Sequence, residues 1–210
     1  MIYRLKDIKV KYKELVGLSK LIINISNKTS NIEFENDLAK YFLNNSIKRA
    51  NVLYILENNN ELIGALFAYI PNYCAENETI NNYTYATNLN TSILKKLKYK
   101  NLSAEELKIL QHELLMEKEY TKNVWSHTIK RNDSAEILFF SIAENHQKKG
   151  HSKPLLNAFL DDVRINNIKK YHLFTTSTCD FEYYEKLGMK RIKATSLPQN
   201  ITLLVYEKQI

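Results

Sequence analysis

The stretch that decides the fold reads AEILFFSIAENHQKKGHSKPLLNAFLDDV, residues 135–163. It opens with an apolar run over 135–143, passes through a polar loop that holds Gly150, and continues into a segment with Leu155, Leu156, Phe159, Leu160 and Val163 on one side. The first part has the composition of a buried strand and the last the spacing of an amphipathic helix. Pro154 suits the first turn of that helix, where its missing N–H costs nothing. A second strand is expected over 171–176. Strand, helix and strand within about 40 residues imply a parallel pair joined by a right-handed crossover. The loop QKKGHS, 147–152, then lies at a helix N-terminus, where exposed N–H groups and the helix dipole both favour an anion. Taken alone, one glycine there describes a connecting loop as well as a phosphate site.

Upstream, 2–6 reads as a short strand and the segment from Ile8 as an amphipathic helix through Tyr12, Leu15, Val16, Ser19, Ile22 and Ile23. A second helix carries Phe34, Leu38, Tyr41 and Phe42 on one face. Apolar runs at 52–57 and 61–70, separated by Asn58, Asn59 and Asn60, predict a hairpin that Pro71 closes. Downstream, a short helix is expected over 180–187, and strands over 189–195 and 201–207 with Pro198 between them. The sum is a mixed α/β sheet of about seven strands with flanking helices.

Residues 72–133 interrupt this order. Residues 72–90 are rich in Asn, Thr and Tyr with little periodicity. Ser103 and Glu106 form a capping box that predicts a helix start, with Leu107, Leu110 and Leu114 as its buried side. The apolar content is too thin for an independent core, so the chain reads as one domain, 1–210, with a partly helical insertion between the third and fourth strands.

Composition bounds the function. Hydrophobic residues make up 44% and charged residues 25% of the 210, enough for a core and against wholesale disorder. The longest apolar run, 62–70, is too short to span a bilayer, and the first residues lack the apolar region of a signal peptide. Cys74 and Cys179 are the only cysteines and have no metal spacing with His112, His127, His146 or His151. These features predict a reducing, cytoplasmic location, no membrane and no metal. The net charge of +7 includes clusters at Lys95, Lys96, Lys98 and Lys100 and at Lys148–Lys149. In a chain crowded with Lys, Asn and Ile, lysine is the default surface residue. A nucleic-acid partner would call for an aromatic and basic face, and none is expected.

The loop resembles the Q/R-x-x-G-x-G/A signature of the GNAT superfamily of N-acetyltransferases, with Gln147 and Gly150 in place and Ser152 where the family has Gly or Ala. The segment YYEKLGM, 183–189, is similar to the family's F-Y-E-x-x-G-F, and Gly64 sits where its third strand has a glycine. The chain has four glycines, where average usage of about 7% would give roughly fifteen. Gly64, Gly150 and Gly188 are three of those four, which suggests that each has a backbone role.

The resemblance implies a sheet whose fourth and fifth strands splay apart around acetyl-CoA, used as cosubstrate. Its pyrophosphate would rest on Gln147, Lys148, Lys149, Gly150, His151 and Ser152, and its pantetheine would pair with backbone near Ile142, where an N–H could also serve the oxyanion. Tyr184 matches the family's general acid; a phenol of pKa near ~10 is a sensible proton donor to a thiolate. Glu136, eleven residues before Gln147, matches the glutamate base of some members, including histone-acetylating ones. It could equally sit idle at an exposed strand start. Cys179 reads as a buried structural thiol rather than a nucleophile, since no base or cation is evident beside it. The expected reaction is direct transfer of acetyl to a primary amine of a small molecule. A protein or peptide acceptor, or a non-catalytic acyl-CoA-binding module, is the alternative. The insertion is expected over the acceptor side, where Glu76, Glu78 and Glu113 could meet a cation or be merely solvated. The acceptor and the oligomeric state, a homodimer included, are not legible.

Overall fold

In the computed structural model, residues 1–23, 29–73, 86–93, 96–97, 101–125 and 133–210 are described. Cys74, Glu76, Glu78, Lys95, Lys98, Lys100 and His127 lie outside the described residues. The strands are β1 Ile2–Arg4, β2 Val52–Asn58, β3 Glu61–Tyr69, β4 Ala135–Ile142, β5 Lys170–Thr176, β6 Lys190–Leu197 and β7 Ile201–Gln209. The helices include α1 Tyr12–Ile23, α2 Ile32–Arg49, α3 Ala104–Trp125, α4 Ser152–Ile165 and α5 Glu182–Lys186. The strands form one mixed sheet in the order β1-β2-β3-β4-β5-β7-β6. Among the described residues only the β4–β5 pair is parallel; the other neighbours are antiparallel.

The β2–β3 hairpin turns at Asn59 and Asn60, whose φ values are 49° and 64°. Asparagine is among the few side chains that tolerate this left-handed region, which two-residue hairpin turns require. β3 is buried on both faces, which is why it reads as a continuous apolar run rather than an alternating one. On one face Leu62, Ala65 and Phe67 join Phe34 and Leu38 of α2 and Leu15 of α1. On the other, Ile63, Leu66 and Ala68 pack with Leu155, Phe159 and Val163 of α4. The sheet is therefore covered by α1 and α2 on one side and α4 on the other.

Described residues of the insertion add to the first of these cores: Ala86, Ile93, Leu97 and Leu110 are buried in it. Its helix α3 begins at the expected capping box, with Ser103 N–H donating to Glu106 Oε2 (2.7 Å) and Glu106 N–H to Ser103 Oγ (3.2 Å). The expected buried side is only partly right. Leu110 is buried, but Leu107 and Leu114 are 45% and 40% exposed. The helix is rotated by two glutamates of the stripe 106–110–113–117. Glu106 accepts from Asn31 Nδ2 (2.6 Å), and Glu117 accepts from Tyr41, from Asn45 Nδ2 (3.1 Å) and from Arg49 (3.3 Å). Charge-assisted hydrogen bonds to α2 set the seating of α3 more strongly than two leucines do.

Candidate active site

The cleft starts from a register fault. β4 pairs with β3 along its length, but Phe67 faces Phe139 while Ala68 faces Ile137, which leaves Leu138 as an extra residue. Such a bulge bends its strand and increases its twist. On the other edge β4 pairs with β5 only through Ala135–Tyr171, Glu136–His172 and Ile137–Leu173. The strands separate at the bulge, while on its other edge β5 stays paired with β7 along its whole length. Beyond Ile137 the β5-facing edge of β4 is thus unpaired by any strand among the described residues, and its backbone borders a cavity of about 620 Å³.

Gly64 makes this geometry possible from behind. It lies opposite Ile142, and a Cβ there would stand 2.5 Å from Ile142 Cδ1, 2.9 Å from Ser141 O and 3.2 Å from Leu155 Cδ1. Only glycine lets β3, β4 and α4 approach so closely.

At the open end of the cleft the chain leaves β4, passes through a 3-10 turn at Glu144–His146, and enters α4. Lys148 has φ 59° and Gly150 φ 82°, so two left-handed residues fold the loop back onto the helix start. A Cβ on Gly150 would meet nothing within 4 Å. The glycine is therefore required by its backbone angle, and the space beside it is open. Gln147 Nε2 donates to Ile142 O (3.1 Å), tying the loop to the end of β4. His151 is the N-cap residue of α4 and makes no side-chain capping bond. Of the first-turn residues, Lys153 donates its N–H to Gly150 O (3.2 Å) and Pro154 has none to give, which leaves the Ser152 N–H for water or an anion.

Ile142, Gln147, Lys148, Gly150, His151 and Ser152 all line the cavity; Lys149 does not. Tyr184 lines the same cavity from the other side, on α5. Burial pushes its phenol well above the ordinary tyrosine value, and the nearby Cys179, Tyr183 and Asp180 push the same way. The proton is held firmly.

Glu136 lies elsewhere. It is 1% exposed, at the closed end where β4 and β5 still pair, and is not part of the cavity wall. Its carboxylate accepts from Tyr120 Oη (2.5 Å) and stands 3.9 Å from His172 Nε2, while His172 Nδ1 is 2.7 Å from Ser134 Oγ. A buried acid needs such partners. Cys179 is also displaced from its expected setting. It is half-buried in the cavity wall, with Sγ 3.4 Å from Thr176 Oγ1 and 3.9 Å from Ile22 O.

Sequence reasoning left several wall residues unassigned. His112 and Met116 of α3, Phe42 of α2, Phe174 of β5, Tyr183 of α5 and Asp180 just before it all line the cavity, as does Glu113. No local signal marks them, because each owes its place to how its element docks. Among the described residues no group of three or more His, Cys, Asp or Glu is placed to hold a metal ion, and no helix is long and apolar enough to cross a membrane.

A seven-stranded mixed sheet opened between its parallel pair, with a glycine-bearing loop on a helix N-terminus at the mouth, is the fold of the GNAT acetyltransferases. Neither a scan of the sequence against protein-family models nor a search of curated proteins returns a match. Solved structures do. A Pyrococcus horikoshii OT3 protein superposes with a TM-score of 0.60 at 13% identity, over 100% of this chain and 98% of that one. An aminoglycoside 6′-acetyltransferase type Ii gives a TM-score of 0.53 at 13% identity, over 100% of this chain and 96% of that one. A Desulfovibrio desulfuricans protein described as a GNAT-family acetyltransferase gives 0.50 and 10%, over 100% and 98%.

Proposed function

We propose that this protein transfers an acetyl group from acetyl-CoA to a primary amine of a small molecule, by direct attack within a ternary complex. The observation that carries this reading is the meeting in one cavity of the α4 loop, the open edge of β4 and Tyr184. A cavity of about 620 Å³ falls in the ~300–1,000 Å³ range of ligand sites. The donors of the α4 N-terminus suit a pyrophosphate, and Lys148 adds positive charge. Lys149, outside the wall, is left to long-range attraction. Ser152 is small enough to stay close to a phosphate and has a hydroxyl to donate.

The unpaired backbone near Ile142 can hold an extended amide arm as a further strand would, and can direct an N–H at the developing oxyanion. Tyr184 gives its proton to the departing thiolate. Its raised pKa keeps it protonated over the whole working pH range, which a general acid needs. Glu136 enters only at one remove: an amine proton would reach its carboxylate through water or the Tyr120 hydroxyl that it accepts from. The aminoglycoside acetyltransferase among the structural neighbours supports a small amine as the acceptor class.

The test is calorimetric titration with acetyl-CoA, followed by thiol release with a panel of amines. The wild type is expected to bind, and Gly150→Asp to lose binding, because the new side chain brings both backbone strain and a negative charge to the phosphate site. Unchanged affinity in that variant would remove the loop from the site.

A further inference from the structure

We propose that Arg191 is a positioning residue for acetyl transfer: its guanidinium clips Glu185 and Phe181 to the β6–β7 pair, and so fixes the direction in which Tyr184 presents its hydroxyl to the cavity. This rests on the acetyltransferase reading above and adds to it the device that holds the general acid in place.

Tyr184 stands on α5, a helix of five residues, none of them fully buried. So short a helix has no stability of its own and takes its orientation from tertiary contacts. Phe181, Tyr184 and Leu187 pack against the core that α4 covers. Apolar packing is non-directional and leaves the segment able to roll on that surface. Directional bonds remove the freedom. Arg191 donates from Nη2 to Glu185 Oε1 (2.5 Å) and from Nε to Tyr206 Oη (3.1 Å), while Tyr206 Oη donates to the same Glu185 oxygen (2.7 Å). The planar fork of arginine suits this ring of three groups, and a lysine cannot reproduce it. The guanidinium also lies 5.6 Å from the ring centroids of Phe181 and of Tyr206. Arg191 thus engages the chain on both sides of Tyr184.

The sheet is shaped for this contact. Arg191 stands opposite Tyr206 in the β6–β7 ladder, and the register slips between Arg191 and Lys193, which leaves Ile192 as an extra residue. A bulge re-aims the side chains beside it. Tyr206 is fully buried, and its ring centroid is 6.1 Å from that of Tyr184. One tyrosine therefore backs the ring of the acid and anchors the clip as well. Hydrogen bonds from Tyr206 and Arg191 hold the Glu185 carboxyl below its ordinary value of 4.5, so the clip is charged at neutral pH. Just past the end of α5, Lys208 Nζ donates to Leu187 O (2.5 Å). The Arg191–Glu185 pair is partly exposed and adds little to stability. Its consequence is direction.

The test measures thiol release from acetyl-CoA for the wild type, Arg191→Met, Arg191→Lys, Tyr184→Phe and the variants that combine Tyr184→Phe with each Arg191 change. Of 2-phenylethylamine, spermidine and kanamycin, the amine that the wild type acetylates fastest serves as acceptor. Arg191→Met keeps the apolar stem and removes the clip. It should lower kcat roughly 10- to 100-fold, the scale of a slight misplacement in an active site, with the KM for acetyl-CoA within about twofold. Arg191→Lys, which keeps the charge but not the fork, should fall between Arg191→Met and the wild type. In the Tyr184→Phe background either change should alter kcat less than about threefold, because the group that Arg191 positions is gone. A merely structural role would lower both backgrounds alike. The assignment is overturned if Arg191→Met keeps kcat within about threefold, if the loss lies in the KM for acetyl-CoA, or if the loss is as large without the Tyr184 hydroxyl. Should Arg191→Met not fold, Arg191→Lys in the same two backgrounds decides by the same criteria. If the wild type does not bind acetyl-CoA in calorimetry, or acetylates none of the three amines, the acetyltransferase reading falls first and the inference falls with it.

Discussion

Two tyrosines stand side by side in the cavity wall, Tyr183 and Tyr184, with ring centroids 5.5 Å apart. Burial above all raises the pKa of the Tyr184 phenol. Tyr184→Phe should lower kcat by roughly 10²–10⁴-fold, the usual range for a lost general acid, with little change in KM for acetyl-CoA. Tyr183→Phe should retain most of the rate, and steady-state kinetics on the pair will distinguish them. Because the folded-state pKa is raised, the proton is lost only at higher pH than from a free phenol. The kcat profile of the wild type should therefore not fall as the pH approaches ~10, where an ordinary tyrosine would ionise. Glu136 makes a contrasting case. Its burial and its bond from Tyr120 allow either a proton relay or a purely positional role. If it is the final acceptor of the amine proton, Glu136→Gln should flatten the acid limb of the kcat/KM profile, or shift it to higher pH toward the free amine's own pKa, and recover rate at high pH. An equal loss at every pH would make Glu136 a positioning residue for Tyr120 and Phe174.

At the scale of elements, the cleft depends on how β3 and β4 share the space behind it. The bulge at Leu138 directs β4 away from β5, and the contact at Gly64 holds β4 against β3 and α4. Gly64→Ala would place a Cβ within 3.0 Å of the Ser141 carbonyl, a backbone atom that cannot swing aside. A loss of about 1–3 kcal/mol is expected, the usual cost of overpacking, measurable by urea denaturation. Acetyl-CoA affinity should fall with it, because the strand that must move carries Ile142. The α3 helix illustrates the limit of reading an element from its own pattern. Its leucine spacing pointed Leu107 and Leu114 inward, yet the hydrogen bonds of Glu106 and Glu117 to α2 turn them outward. A polar partner on another helix is invisible to hydrophobic periodicity.

Over the whole molecule, several lysines are paired with acids within the fold, which localises charge but leaves the net excess of +7 unchanged. Lys96, from the basic cluster in the insertion, pairs with Glu33 (2.7 Å) and Asp37 (3.0 Å) of α2. Lys11 pairs with Glu57 at 2.5 Å, where both side chains are largely buried. The Lys11 hydrogen bond holds the Glu57 carboxyl below its ordinary value of 4.5, with Tyr3 adding to the effect. A carboxyl with a depressed folded pKa stabilises the protein above its unfolded pKa, and that contribution disappears as pH falls through the folded value. Thermal denaturation should thus show Lys11→Met less stable than wild type near neutrality, with the difference shrinking below about pH 4.5. An undiminished difference at low pH would assign the effect to packing.

By itself the sequence determined the order of strands and helices, the hairpin at Asn59–Asn60, the glycine-bearing loop at the start of α4 and the mixed sheet. These follow from short-range physics: side-chain period, turn chemistry, capping and the rarity of glycine. Tertiary structure alone decided where β4 parts from β5, because a bulge is a fault in register between two strands and leaves no mark in either. It also decided that Tyr184 faces the cleft while Glu136 is enclosed beneath it, and that His112, Glu113 and Met116 form part of the wall. Those placements depend on how α3 and α5 dock against the sheet, through contacts between residues far apart in the chain.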